Sequence, residues 1–229
     1  MTRFRFLGAI TALLLAVAAY LDFVYAPEDA VQGLPQRLFY LHVPPVIAAY
    51  GCFAIVLVGG IVYLRNGSPV ADRLARAAAQ VGLVMVSVTL AIGLVYAKAE
   101  WNWDPSQTWD ARFTSTVMLW AVYAGYLAVR RFAAPGRQAA RFAAVIGIVG
   151  FVDVPVVHMS VQWWRTLHPG PVVETGALPV EMLVAFLVSL VAVVALAATL
   201  VWARYRIEAA EDRLLEIQAG VAPALAAQG

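Results

Sequence analysis

The sequence predicts an all-α integral membrane bundle of six transmembrane helices with both termini cytoplasmic. Composition, recurring apolar runs and a one-sided placement of basic residues carry that prediction. Of 229 residues, 62% are hydrophobic and 13% charged, whereas a soluble domain is about 45–50% apolar and about 25% charged. Such an excess calls for lipid as solvent, and the apolar runs leave no stretch for a separate soluble domain. We expect one membrane domain over residues 1–205 and a cytoplasmic tail over 206–229. The net charge of +2 gives no sign of a nucleic-acid partner.

A helix needs about 20 mostly apolar residues to cross the hydrocarbon. Six stretches approach that length, at about 6–26, 45–64, 77–97, 113–129, 142–160 and 180–203. The first follows Arg3 and Arg5 but exceeds the about 7–15 residues of a signal-peptide core, so we expect a retained anchor. Pro44 and Pro45 are expected to open the second span, which Asn66-Gly67-Ser68-Pro69 follows. Pro135-Gly136 divides the fourth from the fifth, and Pro179 opens the sixth. Inside the fifth, Pro155 should kink the helix just before His158. Asp153, two residues earlier, is a costly membrane carboxylate and should face the bundle interior. Beyond the sixth span, Glu208 to Gln218 should extend the helix into water, and the Ala-rich end after Gly220 should be disordered.

The basic residues report orientation. Arg3, Arg5, Arg65, Arg73, Arg76, Arg130, Arg131, Arg137, Arg141, Arg204, Arg206 and Arg213 fall on one side, against Arg37, Lys98, Arg112 and Arg165 on the other. Basic residues favour the cytoplasm. Both termini are therefore expected inside, with residues 27–43, 98–112 and 161–179 external.

Those external segments are also the chemically unusual ones. They and the adjoining helix ends hold His42, His158 and His168 together with Trp101, Trp103, Trp109, Trp163 and Trp164, and the cytoplasmic loops hold neither type. An interfacial aromatic belt would share its aromatics between both faces, so the skew points to a binding site. Aromatic faces stack on a macrocycle, neutral imidazole ligates iron, and arginine pairs with carboxylates. Haem combines those three needs. His42 and His158, on separate helix ends at one depth, are the expected axial pair. Trp101, Trp103, Trp109, Asp110, Arg112, Trp163, Trp164 and Arg165 complete the candidate site, and the tract from Trp101 to Arg112 is expected to hold the ligand rather than to build a core. No catalytic constellation is found, so an enzyme is not expected. The single cysteine, Cys52, excludes a CxxCH haem-attachment signature. A membrane b-type cytochrome, or a transporter whose aromatics cage an organic cation, are the rival readings.

Three stretches together resemble one family. They are Tyr40-Leu41-His42-Val43-Pro44, the tract ending Trp109-Asp110-Ala111-Arg112-Phe113-Thr114-Ser115, and Val154-Pro155-Val156-Val157-His158 through Trp163-Trp164-Arg165-Thr166-Leu167-His168. With six spans, they resemble the CcmC family, haem exporter protein C of cytochrome c maturation, within the wider group sharing a Trp-rich "WWD" tract. The resemblance implies a subunit of the bacterial inner membrane that binds haem b transiently on its periplasmic face. It implies His42 and His158 as the iron ligands, with His168 matching no ligand position. Implied partners are membrane lipid, ATP-binding-cassette subunits comparable to CcmA and CcmB, a one-span subunit comparable to CcmD, and the haem chaperone CcmE. The tract departs from the family pattern, lacking an adjacent Trp pair and carrying Asp104-Pro105-Ser106-Gln107. No G-x-x-x-x-G-K-[ST] motif occurs, so ATP hydrolysis would belong to another subunit.

Overall fold

Lipid offers backbone N–H and C=O groups no partner, so an apolar run must close its hydrogen bonds within its own segment, as a helix does. The computed structural model describes residues 2–104, 109–133, 136–164, 166, 168, 176 and 178–226. Among them the regular elements are all helical, with one isolated bridge between Asp29 and Gly33. The order is α1 (Thr2–Tyr20) with a π-helical turn at Leu21–Tyr25, then α2 (Leu38–Asn66) entered through a 3₁₀ turn at Leu34–Arg37. There follow α3 (Pro69–Trp101), α4 (Ala111–Phe132), α5 (Arg137–Gly150), α6 (Asp153–Trp163) and α7 (Val180–Ala226).

Among the described residues, five helical stretches are long and apolar enough to cross a membrane: Phe4–Tyr25, Leu34–Asn66, Pro69–Trp101, Arg137–Trp163 and Val180–Leu214. The expected fourth span, α4, has the length at 22 residues but begins with a polar turn. Ser115 and Thr116 there donate back to the carbonyls of Ala111 and Arg112, at 2.8 and 2.6 Å. The polar side chains are thereby satisfied inside the helix itself.

Three expected boundaries are corrected. Pro44 and Pro45 do not open the second helix but lie inside α2, nearly two turns beyond its start. Proline's fixed φ suits a helix, but each ring removes an N–H donor and crowds the carbonyl four residues back. The break in the fifth span falls at Phe151–Val152, earlier than expected. Pro155 cannot donate to Phe151, four residues back. Instead the Phe151 carbonyl accepts from Val154 N–H at 3.1 Å, which tightens the chain into a turn. The last helix does not stop at Gly220 but runs through Ala226. Asp153 stands in the first turn of α6, with one carboxylate oxygen buried and without a hydrogen-bond partner among the described residues.

The central element is α2, which packs against α3, α5 and α7, while α4 packs on α3, α5 and α6, and α1 on α7. The α2–α3 turn is tight. Gly67 takes the left-handed conformation at φ 68° as the C-cap of α2, and the Ser68 hydroxyl caps α3 by accepting from Ala71 N–H at 3.3 Å.

An ion-pair network ties three helices together at the end of the bundle that holds this turn. Arg130 of α4 reaches Asp72 at 2.8 Å, Arg76 of α3 reaches Glu208 at 3.0 Å and Asp212 at 3.2 Å, and Arg73 reaches Asp212 at 2.9 Å. We expect Asp72→Ala, which leaves Arg130 without its carboxylate, to destabilise the bundle. A fully buried broken pair costs about 3–5 kcal/mol. The Arg130 and Asp72 side chains are 15% and 14% exposed, so a loss of about 1–3 kcal/mol is expected. The measurement is the thermal midpoint in detergent at one scan rate. It should fall for Asp72→Ala and stay near wild type for alanine at the exposed Arg131.

Candidate functional site

At the other end of the bundle the helices part around a cavity of about 670 Å³, inside the range of about 300–1,000 Å³ usual for ligand pockets. Five helices and the segment preceding α2 contribute walls. His42 projects from α2, and its Nδ1 lies 3.0 Å from the backbone carbonyl oxygen of Thr89 on α3. Because α2 begins before the prolines, His42 is held on a helix wall between neighbours rather than at a frayed end. Phe39 and Phe186 meet at 5.2 Å and supply part of the apolar lining.

Four rings close a circuit around this cavity. The His42 ring stands 6.4 Å from Tyr96, Tyr96 stands 6.0 Å from Trp101, Trp101 stands 6.4 Å from His168, and His168 stands 6.2 Å from His42. Tyr96 is itself fixed by donating its hydroxyl to Gln32 Oε1 at 2.7 Å. The residues between α1 and α2 thereby cover one flank. Their turn is built on Asp29, whose Oδ1 accepts from Val31 and Gln32 N–H, both at 2.8 Å.

Asp110 organises the opposite flank. It is buried and caps α4, accepting from Phe113 N–H at 2.9 Å. Its other oxygen accepts from the Thr166 hydroxyl, and that same hydroxyl oxygen accepts from His168 N–H at 3.1 Å. A chain of hydrogen bonds thus runs from the N-terminus of α4 to His168. Arg112, two residues on, lines the cavity and donates to the carbonyl of His158 at 3.0 Å, joining α4 to α6.

The structure therefore gathers His42, His158, Trp101, Trp103, Asp110 and Arg112 around one cavity. His158 lines it from α6 and is exposed. Trp109 is 64% exposed, and Trp163 and Trp164 form an exposed edge-to-face pair at 5.8 Å. None of these three lines the cavity. Arg165 and residues 105–108 lie outside the described residues. The expectation that the Trp101–Arg112 tract takes no part in folding is corrected, since Asp110 caps a helix and Trp103 is buried edge-on against Phe113 at 5.2 Å. His168, to which the resemblance assigns no ligand position, also lines the cavity, as do Tyr96, Gln32 and Gly93, none of which was among the expected site residues. Only Gly93 left a signal, because glycine inside a helix is costly and asks for a reason.

Comparison with known proteins gives one consistent answer. A family model described as "CcmC: Heme exporter protein C" matches residues 2–219. The chain is 33% identical over 215 residues to heme exporter protein C of Bradyrhizobium diazoefficiens, covering 91% of this chain and 78% of that protein. It is 34% identical over 166 residues to heme exporter protein C of Escherichia coli K12, covering 72% of this chain and 66% of that protein. A putative cytochrome c biosynthesis ccmC-like mitochondrial protein of Marchantia polymorpha is 30% identical over 175 residues, covering 75% and 72% of the two chains.

The hydrogen-bond chain through Asp110 makes a testable distinction. Alanine there removes both the α4 cap and the tether to Thr166, and losing a cap costs about 0.5–2 kcal/mol. Asp110→Asn keeps an acceptor for Phe113 N–H. We expect Asp110→Ala to lower the thermal midpoint by more than Asp110→Asn does. Equal, wild-type midpoints for both would show that the cap contributes nothing.

Proposed function

The chain belongs to the CcmC family of heme exporter protein C, and from that premise we propose that it receives haem in the outer cavity and presents it to a haem chaperone. The observation that carries this reading is the approach of two imidazoles, His42 and His168, at one aromatic-walled cavity. Metal–imidazole bonds are about 2 Å long, so two imidazoles on opposite sides of one iron have centroids about 6 Å apart. The His42 and His168 centroids are 6.2 Å apart with ring planes tilted by 35°, and rotation about the shared axis leaves that tilt unconstrained. We therefore propose His42 and His168 as the axial pair, in place of the His42 and His158 pair expected from the sequence. His158 keeps a role in the wall, where its carbonyl holds Arg112.

The surrounding residues suit the rest of the ligand. Trp101 and Tyr96 offer faces to a flat macrocycle, and Arg112 offers a guanidinium to a propionate. The exposed Trp109, Trp163 and Trp164 lie outside the cavity, where an arriving acceptor would meet them. Haem is cargo here, bound as haem b and passed on. The proposed setting is a bacterial inner membrane with six spans, α4 included, and with both termini cytoplasmic, so that the cavity opens to the periplasm. The proposed partners are subunits comparable to CcmA, CcmB and CcmD and the chaperone CcmE, since this chain carries no nucleotide-binding motif.

Hemin titration of the purified full-length protein tests the ligand pair. Wild type should give a six-coordinate low-spin spectrum, which His42→Ala and His168→Ala should each abolish and His158→Ala should retain. A spectrum that survives His168→Ala and disappears with His158→Ala restores the original pair. Orientation is tested separately by cysteine labelling. Val31→Cys, at a position 93% exposed, should react with an impermeant reagent applied outside intact cells, and Arg213→Cys should not. The reverse pattern would invert the bundle and with it the periplasmic site.

A further inference from the structure

We propose that Gly93 is the positioning residue for His42: its missing side chain lets the imidazole reach the Thr89 carbonyl, which holds the ring with Nε2 bare toward the cavity. This rests on the haem-binding reading above. The Nδ1 atom lies 3.0 Å from the Thr89 carbonyl oxygen. A carbonyl only accepts, so Nδ1 carries the hydrogen and Nε2 keeps its lone pair. Thr89 is buried, and its hydroxyl points back to the carbonyl oxygen of His42 at 3.4 Å. The two residues therefore hold α2 and α3 together from both sides.

In an α-helix the Thr89 carbonyl is directed toward Gly93, one turn on. Any side chain at position 93 stands where a third group would approach that oxygen. A Cβ built on Gly93 would lie 2.7 Å from Cε1 of His42 and 3.1 Å from its Nδ1. Both distances are shorter than a Cβ contact tolerates, so the ring would have to move away from the Thr89 carbonyl. Glycine is unfavourable inside a helix, and space for this contact is what it supplies in return. A carbonyl that accepts from the other ring nitrogen fixes the tautomer and orientation of a metal-binding imidazole and raises its basicity, and its loss costs about 10–100-fold in affinity.

The test uses the full-length protein with ¹⁵N-labelled histidine in nanodiscs, with the His42 signals assigned by comparison with His42→Gln. Before hemin is added, wild type should show a protonated Nδ1 and a bare Nε2 at His42. Gly93→Ala should lose that single tautomer and bind hemin about 10–100-fold more weakly, with added imidazole restoring the six-coordinate spectrum. Gly51→Ala, where a Cβ meets nothing within 4 Å, should match wild type in both readouts. A wild-type His42 protonated on Nε2 overturns the proposal, as does a Gly93→Ala protein with wild-type tautomer and affinity. Should Gly93→Ala fail to accumulate, the wild-type tautomer alone decides. A wild type with the expected tautomer that takes up no hemin overturns the haem reading itself and leaves Gly93 no ligand to position.

Discussion

The close approach of α2 to α3 is the constraint on which the rest of the structure depends. Lipid tails are as apolar as the helices they surround, so packing contacts rather than the hydrophobic effect must hold two spans together. Here the contact is as tight as backbones allow. A Cβ on Gly59 would meet the Ala71 carbonyl oxygen at 2.9 Å, and one on Gly82 would meet the Phe53 ring at 2.6 Å. Between and beyond these points the α3 face is buried Ala75, Ala78, Ala79, Val86, Thr89 and Ala97. Because α2 also carries α5 and α7, a wider α2–α3 spacing would shift every wall of the cavity. The histidine contact with Thr89 is the outermost step of the same interface, so ligand geometry and bundle packing are set by one feature.

The architecture was largely legible because lipid imposes a length and a composition on each span. The long apolar runs and their Gly-Ser-Pro and Pro-Gly punctuation gave helices where helices are found. What stayed hidden were boundaries set by tertiary contacts. Pro44 and Pro45 read as a start signal because proline favours the first turn of a helix, but α2 continues back through Leu38, where buried Phe39 and Tyr40 pack within a cluster that includes Phe186 and Met182. The gathering of outer-face aromatics was visible as a skew in composition. The nearness of His168 to His42 was not, because no periodicity encodes a contact between segments so far apart in the chain. Asp110 looked like a binding residue from its place beside Trp109. Its capping role could have been read from its position just before an apolar helix.

The break between α5 and α6 has a structural consequence that follows from one residue. With Pro155 in its first turn, α6 starts afresh after Phe151–Val152, and the two halves of one apolar stretch then take different neighbours. The α5 half packs on α2 and α4, and the α6 half packs on α4. Separation of α6 from α2 at the outer end leaves room between them, and His158, Val157 and the α2 residues Val46, Ile47 and Tyr50 face the cavity there.

His42 and His168 are held by different kinds of contact. His42 belongs to a helix clamped against α3, linked to Thr89 through both its ring and its carbonyl, and displacing it means separating two tightly packed spans. His168 is tied to α4 through Asp110 and Thr166 by a short series of hydrogen bonds, each of which contributes only about 0.5–1.5 kcal/mol net, or about 1.5–3 kcal/mol where the carboxylate takes part. A protein that keeps its ligand gains from two rigid donors, whereas one that passes its ligand on needs a donor that yields at modest cost while the other keeps the ligand oriented. On the proposed reading, the clamped His42 is the donor that keeps the ligand oriented. The segment that carries His168 follows directly on the exposed Trp163 and Trp164, the side from which an acceptor would approach on the proposed reading.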